Sequence, residues 1–225
     1  MPTRAHGVLA LPDNTLLAVA RRPGDWLLRW SPNNGQPVQW QWADSGQAFN
    51  GHVIASPDGK RLYTTETDLA TGAGLVGVRN ARALAKLEEW PTFGIDSHEL
   101  IWDATDSARP ALIVANGGVP TRPETGRAKL DLAKIDSSLV KLDARTGALL
   151  GQWRLADKRL SLHHLAWQDA SDGKHRPLLG IALQAEHEAA EQKNRPRYWR
   201  CLTEARSNCL KSPPALRAMA GPFVP

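Results

Sequence analysis

Four histidines recur at matching places in this 225-residue chain: His6, His52, His98 and His164. Each opens a β-like hairpin: "HGVLALPDNTLLAVARR", "HVIASPDGKRLYTTETD", "HELIWDATDSARPALIVAN" and "HLAWQDASDGKHRPLLGIALQ". Imidazole titrates near neutrality and is the commonest protein metal ligand, so several delivered to one point would bind a transition metal ion. His52 and His98 are the candidate ligands on this reading. A histidine ahead of a strand has a second common use, bonding to backbone or to an aspartate of the next structural unit. Both readings stand for His52.

The spacing points to the elements that would deliver these rings. His6 to His52 and His52 to His98 are each 46 residues, and His98 to His164 is 66. The excess falls in one inserted stretch, "GGVPTRPETGRAKLDLAKID". Further β-like runs follow the hairpins: "DWLLRW" then "PVQWQW", "GLVGVRN" then "AKLEEW", "SSLVKLD" then "ALLGQWRL". Polar turns such as Ser31-Pro32-Asn33-Asn34-Gly35 separate them. Four short strands per unit of forty-odd residues is the pattern of a β-propeller blade, whose sheet buries its faces only by stacking on its neighbours. The expected fold is therefore all-β: a partial β-propeller of about four blades, each a four-stranded antiparallel sheet. It would occupy residues 1–194, with blades starting near 6, 52, 98 and 164. A β-sandwich would fit the strand count but gives no reason for the repeated histidine and hairpin. A residue directly before the innermost strand lies at one mouth of the central channel, so the four histidines would form part of a ring there.

Other candidates share that geometry. Glu66, Asn116 and Gln184 end the second strand of their units, as Arg21 does in the first. The insertion adds Glu124, Arg127, Lys129 and Asp131, a charged loop long enough to cover a channel mouth or simply to lie in solvent. Trp30, Trp40, Trp42, Trp90 and Trp153 fall on outer strands, where packing between blades is expected. G-x-S-x-G, H-E-x-x-H, a phosphate loop and C-x-x-C-H are all missing, which favours a binding protein over an enzyme.

Charge adds little. The chain carries +5, but six basic residues and one acid lie from Arg195 onward, leaving residues 1–194 neutral. A nucleic-acid partner would rest on that tail alone, and no run of eighteen apolar residues exists to span a membrane. The tail holds both cysteines, Cys201 and Cys209, and shows no alternation where a third strand is due. Read one base out of register, its codons permit "LLAVFDG" and "LKLLEV", the strands the blade lacks. Residues 195–225 are thus expected to be an out-of-frame tail, without strand pairing from Pro196 on, in a truncated chain whose open sheet faces favour aggregation.

The segments "GHVIASPDGKRLYTTETDLATGAGLVGV", "GIDSHELIW", "LIVANGGVPTRPETGRAKLDLAKIDSSLVKLDARTGALL" and "LHHLAW" resemble the bacterial domain-of-unknown-function family 1513 (DUF1513). The resemblance implies a seven-bladed, YVTN-type propeller, exported to the periplasm behind a twin-arginine or Sec-like signal in full-length relatives. It also implies a setting among iron-uptake and imelysin-like proteins, with no established reaction. Against that pattern this chain reads as a fragment without signal peptide or opening blade, and Arg122 stands where the family would have histidine. Arg21-Arg22 lies inside a blade and is not an export signal. The functional expectation is a periplasmic binding or accessory component linked to iron uptake. The alternatives are a metal-dependent enzyme with its site at the channel mouth, or a non-functional fragment.

Overall fold

A computed structural model describes residues 3–21, 24–120, 132–155, 157–168 and 178–186, together with the backbone of 197–202. Strands β1 (Ala5–Ala10), β2 (Leu16–Ala20), β3 (Trp26–Ser31) and β4 (Gln36–Trp42) form the first sheet, in that order. The second joins β5 (Gln47–Ala55), β6 (Arg61–Asp68), β7 (Ala73–Asn80) and β8 (Lys86–Ile95). The third joins β9 (Ser97–Trp102), β10 (Ala111–Asn116), β11 (Ser138–Asp143) and β12 (Leu149–Arg154). β13 (Leu160–Trp167), β14 (Leu178–Ala185) and β15 (Arg197–Leu202) make the fourth. All pairings are antiparallel, and the first strands of successive sheets, β1, β5, β9 and β13, lie next to one another. This is the expected propeller, with each histidine on an innermost strand.

Alternation along the strands sends side chains to both faces, and the apolar layers form between sheets. Leu17, Val19 and Leu27 of the first sheet meet Phe49, Val53 and Leu62 of the second. Tyr63, Val76, Val78 and Trp90 meet Leu100, Leu112, Val114 and Val140 of the third. Ile113, Ala115 and Leu139 meet Leu162, Leu165, Leu179 and Ile181 of the fourth. β10, "ALIVAN", is buried at every residue because sheets cover both of its faces. The other face of the first sheet carries Ala20, Trp26 and Leu28 under Trp30, and among the described residues no sheet lies over it. Trp40 and Trp42, paired across the ladder with Leu28 and Trp26, stack there 5.9 Å apart and stay 37% and 49% exposed. Trp90 is buried between blades as expected. Trp40 and Trp42 are not.

The expectation that the chain pairs with nothing from Pro196 on is corrected over 197–202. β15 pairs with six of the eight residues of β14, from Leu183 opposite Arg197 to Leu178 opposite Leu202, and supplies the third strand that the blade pattern requires. Backbone pairing needs no alternation of side chains, so the composition hid it. Arg127 and Lys129 of the insertion, with Glu124 and Asp131, lie outside the described residues.

Candidate functional site

Each innermost strand carries extra backbone at its histidine. In β1 the register slips between Ala5 and Val8, around His6 and Gly7. In β5 it slips between Phe49 and Val53, spanning Asn50, Gly51 and His52. In β9 it slips where Ser97 and Glu99 face adjacent residues Asn116 and Ala115, which isolates His98. In β13 it slips between Leu162 and Leu165, around His163 and His164. A bulge takes residues out of the ladder and re-aims their side chains, and bulges concentrate next to functional sites. Here four bulges turn histidines from four sheets toward one another.

The rings form a compact group. His52 lies 4.8 Å from His6, 5.2 Å from His98 and 5.5 Å from His164, between ring centroids. His98 lies 4.9 Å from His164 and 4.3 Å from His163. Two glycines make room for this approach. Gly51 has φ +104°, and a Cβ there would stand 2.8 Å from His6 Cδ2. A Cβ on Gly7 would stand 2.3 Å from the Gly51 carbonyl oxygen. Asn50, in the β5 bulge, donates to the Ser97 carbonyl at 2.8 Å and accepts from Thr67, which ties this bulge to the next sheet.

Glu99, next to His98, is the group that the sequence reading missed. Its Oε1 lies 3.5 Å from His52 Nδ1, its Oε2 lies 3.3 Å from His164 Nδ1, and Oε2 also accepts the Leu165 backbone N–H at 2.6 Å. Burial works to raise the Glu99 pKa, yet donation from His164, His52 and Leu165 holds it well below the usual carboxylate range. The same contact raises the His164 pKa against its partial burial. His52 Nε2 is buried and has no hydrogen-bond partner, while Nδ1 reaches Glu99 of the next sheet, so the ring links two blades through a carboxylate and leaves its second nitrogen open. Among the described residues, two sets of three groups have ligand atoms within 4.8 Å of one another: His6, His98 and His164, and His52, Glu99 and His164. All four predicted histidines are therefore brought together, with His163 at their edge.

Glu66 and Asn116 do not join them. Glu66 is fully buried within the second sheet, where its Oε1 accepts from Arg79 at 2.8 Å and Thr64 at 2.5 Å and its Oε2 pairs with Lys86 at 2.7 Å. Asn116, also fully buried, donates to the Thr92 carbonyl and Ser138 Oγ and accepts from Ser97 Oγ, stitching the second and third sheets. Both were placed at the channel mouth because they end second strands. The structure instead commits their polar atoms to inward pairing. Gln184 sits in β14 opposite Ser161.

The profile of the family described as "Protein of unknown function (DUF1513)" matches residues 1–221. The chain belongs to this family. The match runs through the segment from Pro196 that the sequence reading set apart. No curated protein sequence matches the chain. Among solved structures, hydrazine synthase of Kuenenia stuttgartiensis is similar in fold, with a TM-score of 0.56 at 15% identity over 81% of this chain. The DUF1513 chain spans 44% of the length of that protein, and the likeness is one of propeller architecture alone. No helix among the described residues is long and apolar enough to cross a membrane.

Proposed function

We propose that this DUF1513 protein binds a transition metal ion at the inner-strand histidines. The observation that carries the reading is the convergence of His6, His52, His98 and His164 from four successive sheets, each at a backbone bulge, with ligand atoms of His6, His98 and His164 within 4.8 Å of one another and His52 in a second such set with Glu99 and His164. Clustering several imidazoles about one buried Nε2 costs free energy in the absence of a partner, and a bound cation offsets that cost. A tetrahedral ion with metal–nitrogen bonds of about 2.0–2.1 Å sets its ligands roughly 3.4 Å apart, so binding draws the rings inward by an ångström or so. Glu99 neutralises part of the incoming charge.

The finer form of the reading is a periplasmic metal-binding component that works beside iron-uptake or imelysin-like partners. It rests on the family resemblance. A metal-dependent enzyme is the second reading, favoured by one feature: His164 is half exposed, so substrate could reach an ion from solvent. An out-of-register origin for residues 195–225 is a separate proposal. Sequencing the DNA across the codons for Asn194 to Arg197 decides it, since an intact frame discards it.

Titration calorimetry and metal analysis of dialysed protein test the binding. Stoichiometric uptake of Zn(II) or Cu(II), lost in His98→Ala and His164→Ala, is the expected result. Uptake that is absent, or that survives both substitutions, removes the reading.

A further inference from the structure

This inference rests on the metal reading and concerns which atoms meet the ion. We propose that Glu99 stands behind the imidazoles as a positioning residue, so that the ion meets imidazole nitrogen only and the site takes late divalent ions such as Cu(II), Ni(II) and Zn(II). The competing arrangement is equally compact: His52, Glu99 and His164 could ligate directly, with two nitrogens and one carboxylate oxygen.

The contacts of the carboxylate separate the two. Oε1 lies 3.5 Å from His52 Nδ1 and Oε2 lies 3.3 Å from His164 Nδ1, so the carboxylate favours the tautomer of each ring that carries its proton on Nδ1. A neutral imidazole has one N–H, and with the proton on Nδ1 the lone pair is on Nε2. His52 Nε2 is the buried nitrogen without a partner, as this tautomer requires of a ligand atom awaiting its ion. Direct ligation would require both Nδ1 atoms to give up their protons or both rings to turn. The Leu165 N–H, a backbone donor at the bulge in β13, already occupies one lone pair of Oε2. Carboxylates placed behind ligating histidines in this way fix ring orientation and raise ligand basicity.

With Glu99 outside, the ion draws on His6, His98 and His164, whose ligand atoms already lie within 4.8 Å of one another, and the His52 ring flanks them, 4.8 Å from the His6 ring between centroids. Imidazole donors favour copper, nickel and zinc, whereas magnesium, calcium and manganese favour oxygen. Ion preference therefore follows from where the carboxylate stands.

The number of imidazoles decides the matter in the unaltered protein. Cu(II)-loaded protein examined by pulsed EPR, and Zn(II)-loaded protein by X-ray absorption, should each show three or more imidazoles, while Mn(II) should bind at least 100-fold more weakly than Zn(II). Glu99→Gln keeps an acceptor for the Leu165 N–H. It should retain the nitrogen pattern of the Cu(II) spectrum while lowering affinity about 10- to 100-fold. A count of two imidazoles, a Cu(II) spectrum altered by Glu99→Gln, or Mn(II) binding as tight as Zn(II) would each overturn the proposal and leave metal binding itself intact. If the unaltered protein takes up no Cu(II) or Zn(II), the metal reading falls and this inference with it.

Discussion

Glu66 and Glu99 are both withdrawn from bulk water, and they do opposite work. Glu66 meets permanent cations: Arg79 on one oxygen and Lys86 on the other, with Lys86 held in turn by Asp44 and Glu89 at 2.9 Å each. Burial would lower the Lys86 pKa, but Glu66, Asp44 and Glu89 together raise it above its ordinary value. Glu99 meets imidazoles, which give one nitrogen to the carboxylate and keep the other. A carboxylate answered by guanidinium and ammonium is closed to further chemistry. One answered by histidines leaves lone pairs available, and that difference marks the second cluster as the functional candidate.

The largest expected effect breaks the closed cluster. Glu66→Ala leaves Arg79 buried without its partner and should cost about 3–5 kcal/mol in urea unfolding, while any folded protein binds metal as before. Equal loss of metal uptake would erase the distinction between the two clusters. Gly51→Ala strikes the open cluster through its backbone, because φ +104° and the His6 ring both exclude a Cβ. About 1–3 kcal/mol of destabilisation is expected, accompanied by weaker metal binding, and calorimetry reads both. His164→Ala should be nearly silent in stability, within about 1 kcal/mol for a half-exposed side chain, yet abolish metal uptake.

A third carboxylate sharpens the comparison through pH. Asp103 pairs with Lys141 at 2.5 Å, and although burial would raise its pKa, donation from Lys141 and Thr105 lowers it. Because the folded-state value is the lower one, this contribution to stability is full above the unfolded value near 3.9 and is lost as pH falls through the folded value. Asp103→Asn should therefore show a shallower loss of stability below about pH 4 than the parent chain, as read by unfolding midpoints. The smallest effect is expected at Trp42→Gln, within about 0.5 kcal/mol, because half of that ring is already in water.

The sequence carried the propeller openly, since strand alternation and turn residues repeat with the histidines and need only local chemistry to be read. It carried the histidine ring for the same reason. Glu99 was hidden because in "SHELIW" it reads as an ordinary polar position of a strand, and its partners His52 and His164 come from other sheets. Glu66 misled in the reverse sense. Its place at a strand end suggested a rim, whereas Arg79, thirteen residues on and in the adjacent strand, draws it inward. Glycines at 7 and 51 and the doubled histidine at 163 and 164 were the available signals of bulges, but an inserted residue disturbs the very alternation by which strands are recognised.

Those bulges also set how the protein could lose its site. Removing one residue beside His6 or His164 would let β1 or β13 resume an unbroken ladder, and every side chain on the near side of the deletion would change faces. The straightened strand would gain backbone pairing as its imidazole swung away from the other three. A shorter loop-free variant of this chain could thus be a better-ordered sheet and an emptier protein, so selection for regularity and selection for the site pull on the same few peptide units.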